Sequence, residues 1–96
     1  MQELVRLGAP EFVLQYTVRD GAGARIKRVD VAWPVQRTIL ELDGVAYHDL
    51  TAARDEDERV RARMRALGWR VVVARRADLG GGLLPGLVRD LRREDA

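Results

Sequence analysis

Between Arg25 and Trp33 apolar and polar residues alternate, the period-two pattern of a half-buried strand. Val29, Val31 and Trp33 fall on one side of it, Arg28 and Asp30 on the other. Phe12 to Val18 predicts a strand before it, and Asp20-Gly21-Ala22-Gly23 supplies the turn residues between the two. Pro34-Val35-Gln36 interrupts the run. Arg37 to Asp43 then predicts a third strand, with Leu40 and Leu42 on one face and Ile39, Glu41 and Asp43 on its opposite. A hairpin turning on Val35 and Gln36 matches the apolar sets, because Val29 then meets Leu42 and Val31 meets Leu40. The same register sets Asp30 against Glu41 and Arg28 against Asp43.

Val60, Met64 and Leu67 recur at helical spacing and predict a helix over 52–67, with Gly68 as its stop. Asp55, Glu56, Asp57 and Glu58 lie near its start, where carboxylates favour the positive end of the helix dipole. Asp55 with Arg59 and Asp57 with Arg61 are i, i+4 pairs of the favourable orientation, so the acidic run reads as structural. Trp69 to Ala74 is short and mostly apolar, the pattern of a strand covered on both faces. After Gly80-Gly81-Gly82, Leu83 to Arg93 predicts a terminal helix with Pro85 in its first turn. At the other end, Gly8 and Pro10 leave Met1 to Leu7 only the last turn of a helix. The order is β-β-β-α-β-α, a mixed α/β domain in which the fourth strand joins the first three after a helical crossover.

Composition narrows the chemistry. A chain of 96 residues, 47% apolar and 33% charged, supports one hydrophobic core and a single domain over 1–96. It has no cysteine and one histidine, so a metal would be held by oxygen ligands or by that one imidazole. No apolar run approaches the roughly 20 residues that span a bilayer, and residues 1–15 lack the layout of a signal peptide. A cytoplasmic location and no membrane partner are expected. The net charge is only +2, but Arg54, Arg59, Arg61, Arg63, Arg65, Arg70, Arg75 and Arg76 crowd together. Such a cluster serves either as phosphate contacts or as a solvated helix face.

Asp30 is the anomalous residue, a carboxylate in a valine-rich strand. With Glu41 opposite, two carboxylates stand within about 5 Å, which destabilises a ladder unless a cation lies between them. Mg²⁺ resolves the conflict, since it takes oxygen ligands and in phosphoryl chemistry commonly binds one or two carboxylates. Arginine partners on an open, solvent-facing side of the hairpin resolve it equally well. Gly44, directly after Asp43, permits close approach of a ligand to the backbone. His48 follows within five residues of Asp43, either as a surface residue or as a general base near neutral pH.

Taken in order, Arg28-Val29-Asp30-Val31-Ala32-Trp33-Pro34, Ile39-Leu40-Glu41-Leu42-Asp43-Gly44, Tyr47-His48 and Leu67-Gly68-Trp69-Arg70-Val71 form a spaced set. From about Phe12 to Leu79 the chain resembles the very-short-patch-repair endonuclease-like branch of the PD-(D/E)XK nuclease superfamily. The resemblance implies a restriction-endonuclease-like fold, a mixed central sheet flanked by helices, here with a truncated N-terminal helix. It further implies Mg²⁺- or Mn²⁺-dependent hydrolysis of phosphodiester bonds, with DNA as the substrate. Asp30 matches the metal-bridging aspartate, Glu41 the acidic member of the second motif, and the Leu42 carbonyl a further metal ligand. Asp43 stands where the wider superfamily has lysine, and Arg28 across the strand pair is the candidate for that missing charge. His48 matches the histidine that activates water in this branch. Arg59, Arg61, Arg63 and Arg65 are the candidates for the DNA backbone.

The group also carries a glutamate on the helix before the first strand, reaching the metal. Glu3 is the one candidate here. A lost or partial helix fits a second reading, a nuclease-like fold without activity that serves as a nucleic-acid-binding or interaction module of a larger protein. A third is an interaction domain that grips an acidic protein with the arginine-rich helix. DNA sequence preference and oligomeric state are not encoded in these motifs.

Overall fold

The computed structural model of the chain describes residues 2–43, 51–75, 78 and 80–95. They form α1 (Gln2–Arg6), β1 (Val13–Arg19), β2 (Arg25–Trp33), β3 (Thr38–Asp43), α2 (Thr51–Ala66), β4 (Arg70–Arg75) and α3 (Leu83–Asp95). The expected order is present, with boundaries within about two residues. One four-stranded mixed sheet has the order β1-β2-β3-β4. The first three strands form an antiparallel meander, and β4 lies parallel to β3 because α2 carries the chain back across the sheet. Among the described residues no helix is long and apolar enough to cross a membrane.

The sheet is covered on both faces, and each face has its own core. On one side α1 and α3 close over Val31, Trp33, Leu40 and Ala74 with Leu4, Leu84, Leu87, Val88 and Leu91. On the other, Met64 of α2 packs with Val18, Val29, Ala32, Ile39 and Trp69, flanked by Val60 and Leu67. The Val60, Met64 and Leu67 stripe read from helical spacing is therefore the face α2 turns to the sheet. Trp33 is fully buried, with its ring 6.0 Å from that of Phe12 and its Nε1–H donated to the Pro10 carbonyl at 3.1 Å.

The hairpin between β2 and β3 keeps the expected register near its turn, Val31 with Leu40, Ala32 with Ile39 and Trp33 with Thr38. The ladder does not extend to the expected pairs of Asp30 with Glu41 and Arg28 with Asp43. Val29 does not follow. Expected on the face of Val31 and Trp33, it packs instead in the opposite core. The pairing of β1 with β2 runs through Leu14 with Val31 and Tyr16 with Val29, passing over Gln15 and Asp30. Gln15 has φ 53°, a left-handed conformation costing an L-residue about 1–2 kcal/mol. Both strands change sides there, since Phe12 packs with the α3 core and Tyr16 with the α2 core. Strict alternation assumes an unbroken pleat, and the break falls at Asp30.

Arg37 locks the crossover in place. Its guanidinium lies 4.4 Å from the centroid of the Trp69 ring and donates to the Leu67 carbonyl at 2.8 Å. Its own carbonyl accepts from the Arg70 amide at 2.8 Å, starting the β3–β4 ladder. Gly68 between them has φ 96°, a turn that other residues enter only with strain.

Candidate functional site

The break in β2 and the end of β3 open beside the middle turns of α2. There Lys27, Arg28 and Asp30 of β2, Glu41 and Leu42 of β3, and Asp57 and Arg61 of α2 line a cleft of about 140 Å³. Asp30 and Glu41, the two carboxylates singled out in the sequence, thus reach one space from adjacent strands.

Each is held differently. The Asp30 carboxylate takes the Leu42 amide through Oδ2 at 2.7 Å, so a side chain receives a backbone donor of the neighbouring strand. In an extended strand the amide and carbonyl of one residue point to the same edge. The Leu42 carbonyl therefore shares the side that faces Asp30. Glu41 is 6% exposed and carries two cations on one oxygen: Lys27 Nζ lies 3.1 Å and Arg61 Nη2 3.5 Å from Oε2. Its second oxygen, Oε1, is buried with no hydrogen-bond partner among the described residues, as is Arg61 Nε.

The like-charge conflict inferred between Asp30 and Glu41 is therefore answered in part by the protein's own cations. Arg28, the sequence candidate for the charge of the missing superfamily lysine, lines the cleft and donates from Nε to Gln15 Oε1 at 3.2 Å. Lys27 is the strand cation on Glu41, and Asp57 adds a third carboxylate to the lining. Sequence reasoning missed both. Lys27 carried a signal, as the only lysine beside sixteen arginines, two positions before Val29 on the same strand.

The arginines of α2 separate as well. Arg59 pairs with Glu56 at 3.2 Å, Arg63 with Asp20 at 3.3 Å and Arg65 with Glu58 at 2.9 Å. Arg61 alone among these four lines the cleft. The i, i+4 pairs expected with Asp55 and Asp57 give way to these, because Arg61 is drawn inward to Glu41 and Arg59 reaches Glu56 one position closer. Glu3 makes a 2.6 Å pair with Arg6 and is not among the cleft-lining residues. Asp43 ends β3 in register with Arg75. Gly44 and His48 lie outside the described residues.

Whether these residues suit a divalent cation turns on oxygen donors. Among the described residues no group of three or more acidic, histidine or cysteine side chains is gathered as a metal site. Mg²⁺ does not require one, since it often keeps several waters beside one or two carboxylates. Asp30, the bare Oε1 of Glu41 and the Leu42 carbonyl offer a compatible set of hard donors. An orphaned carboxylate oxygen in a buried position costs about 1–3 kcal/mol, a cost that an ion or a water would relieve.

The chain is similar to two uncharacterised proteins of Mycobacterium tuberculosis, from strains CDC 1551 / Oshkosh and ATCC 25618 / H37Rv. Each is 33% identical over 87 residues, covering 91% of this chain and 27% of the relative. The chain thus spans about a quarter of the length of the curated relatives it matches. No family model matches it, and no solved structure does.

Proposed function

We propose that the domain is a Mg²⁺-dependent DNA endonuclease, with Mn²⁺ as a substitute, of restriction-endonuclease-like topology and working in the cytoplasm. One observation carries the reading: Asp30 and Glu41 converge on one cleft from two adjacent strands, and Glu41 keeps a buried oxygen without a partner. Asp30, Glu41 and the Leu42 carbonyl would hold the ion, whose chemistry is to polarise a phosphate and stabilise the departing oxygen. Lys27 pairs with Glu41 at 3.1 Å and adds positive charge beside the phosphate position. The Leu42 amide fixes the Asp30 carboxylate in direction, so the ligand is oriented before any ion arrives. In this reading His48 is the proton acceptor for the attacking water, and Asp43 stands at the position of the superfamily lysine. Arg59, Arg63 and Arg65 lie on the exposed side of α2, able to exchange their surface carboxylates for DNA phosphates at little cost.

Supercoiled plasmid incubated with Mg²⁺ or Mn²⁺ tests this directly. The wild-type chain should nick it and Asp30→Ala should not. A wild-type chain that leaves the plasmid intact, alone and within its longer relatives, removes the nuclease reading.

A second reading rests on the two cations already seated on Glu41 Oε2. They neutralise the carboxylate without a metal, as a nucleic-acid-binding or interaction module that has lost cleavage would need. Duplex binding that persists in chelator, with no nicking in Mg²⁺, is the outcome that reading expects.

A further inference from the structure

Arg61 and Glu41 face each other across a buried pair that is made incompletely. A guanidinium and a carboxylate left to themselves settle into a fork with two parallel hydrogen bonds. Here the contact is single and long, Nη2 to Oε2 at 3.5 Å, and each partner leaves a buried polar atom bare, Nε on Arg61 and Oε1 on Glu41. The arginine is 18% exposed and its second contact, to Glu58, is looser still at 3.9 Å. Two residues that line the same cleft therefore carry one unsatisfied donor and one unsatisfied acceptor, each costing about 1–3 kcal/mol while bare. A ligand that relieves both presents an acceptor to the arginine and a donor or a cation to the glutamate, and a phosphate with its divalent counter-ion does both.

We infer that Arg61 is the phosphate-binding residue of the cleft, and that it exchanges its incomplete pair with Glu41 for a forked one with a DNA phosphate. The exchange releases Glu41 for a divalent cation, so phosphate and cation bind cooperatively. The inference rests on the nuclease reading and adds to it the coupling between the two ligands. Lys27 stays on Glu41 throughout and remains its counter-charge while the arginine is away. The other α2 arginines differ in kind. Arg59 is exposed and paired with an exposed glutamate, so it adds general attraction for DNA that does not depend on an ion. Coupling between two sites is a difference in affinity and is reciprocal, which makes it measurable from the DNA side.

The test is the affinity of a short labelled duplex, read by fluorescence anisotropy with and without Ca²⁺, a hard cation that occupies oxygen sites. Wild type should bind about 10-fold more tightly with Ca²⁺, the scale of one added charge-assisted hydrogen bond. Arg61→Gln should lose that increment, binding the duplex equally with and without Ca²⁺. Arg61→Lys keeps the charge beside Glu41 but has no fork, and should also lose the increment; it serves if Arg61→Gln fails to fold. Arg59→Gln should weaken binding equally in both conditions. An increment that survives in the folded Arg61 variants overturns the inference and leaves the nuclease reading standing. No increment in wild type also overturns the inference, and plasmid nicking then decides the nuclease reading separately.

Discussion

On the α3 side of the sheet β3 contributes Leu40 to a core of Leu, Val and Trp, whereas on the α2 side its next residue, Glu41, sits among Lys27, Arg61 and Asp57. Both positions are almost entirely buried, at 0% and 6% exposure. The α3 core is a seal: its side chains are apolar, and the one polar group of Trp33 is satisfied by Pro10. The α2 core is apolar only as far as Ile39 and Met64, and beyond them it ends in charges that leave two polar atoms bare. A domain this small cannot spread such a cost widely, because total stability is of order 5–15 kcal/mol. The difference leaves one face wholly to holding the fold and gives the other the charged groups on which the proposed chemistry would rest.

The strongest way to break this comparison is to damage the sealed face. Trp33→Ala should cost about 3–5 kcal/mol, the usual range for removing a buried aromatic, and would leave the Pro10 carbonyl without its donor. Urea denaturation measures it. If the two faces are separable, any folded fraction retains the Ca²⁺-dependent increment in duplex binding. A folded variant that lost the increment would show that the faces are coupled.

Glu41→Gln attacks the other face and should cost less, about 1–3 kcal/mol, because it leaves the positive charges of Lys27 and Arg61 without their counter-charge. Metal-dependent nicking should disappear. Glu41→Asp, which keeps the charge on a shorter stem, should recover more stability than activity. Equal recovery of both by Glu41→Asp would reduce the carboxylate to a structural counter-ion.

The asymmetry between the faces also explains what the sequence made legible. The Val60, Met64 and Leu67 stripe and the Trp33 and Leu40 positions follow from periodicity, and the structure packs them as the pattern requires. Asp30 and Glu41 were conspicuous because charge is rare in such strands. What periodicity did not carry was the break at Gln15 and Asp30. A positive φ at a non-glycine residue leaves no mark in hydropathy, and it moved Val29 to the opposite core. The identity of the compensating cation was equally hidden. Arg28 and Lys27 are adjacent in sequence, and which of them meets Glu41 depends on the side each takes after that break.

The smallest effect on stability makes the sharpest cut between structure and chemistry. In Asp30→Asn the amide oxygen still accepts the Leu42 N–H, and removing a negative charge beside Glu41 relieves repulsion. Stability should therefore change by less than about 1 kcal/mol, and toward greater stability if at all. Asp30→Ala loses the acceptor, leaves the Leu42 amide to water, and should be less stable than Asp30→Asn by about 1 kcal/mol. Both variants should fail to nick plasmid, because an amide is a poor ligand for a hard cation where a carboxylate is needed. The pair thus dissociates the two jobs that Asp30 performs, capping a strand and presenting an anionic oxygen to the cleft. Nicking by Asp30→Asn at the wild-type rate would assign Asp30 only the first of these jobs, and the nuclease reading would have to find its metal ligands elsewhere.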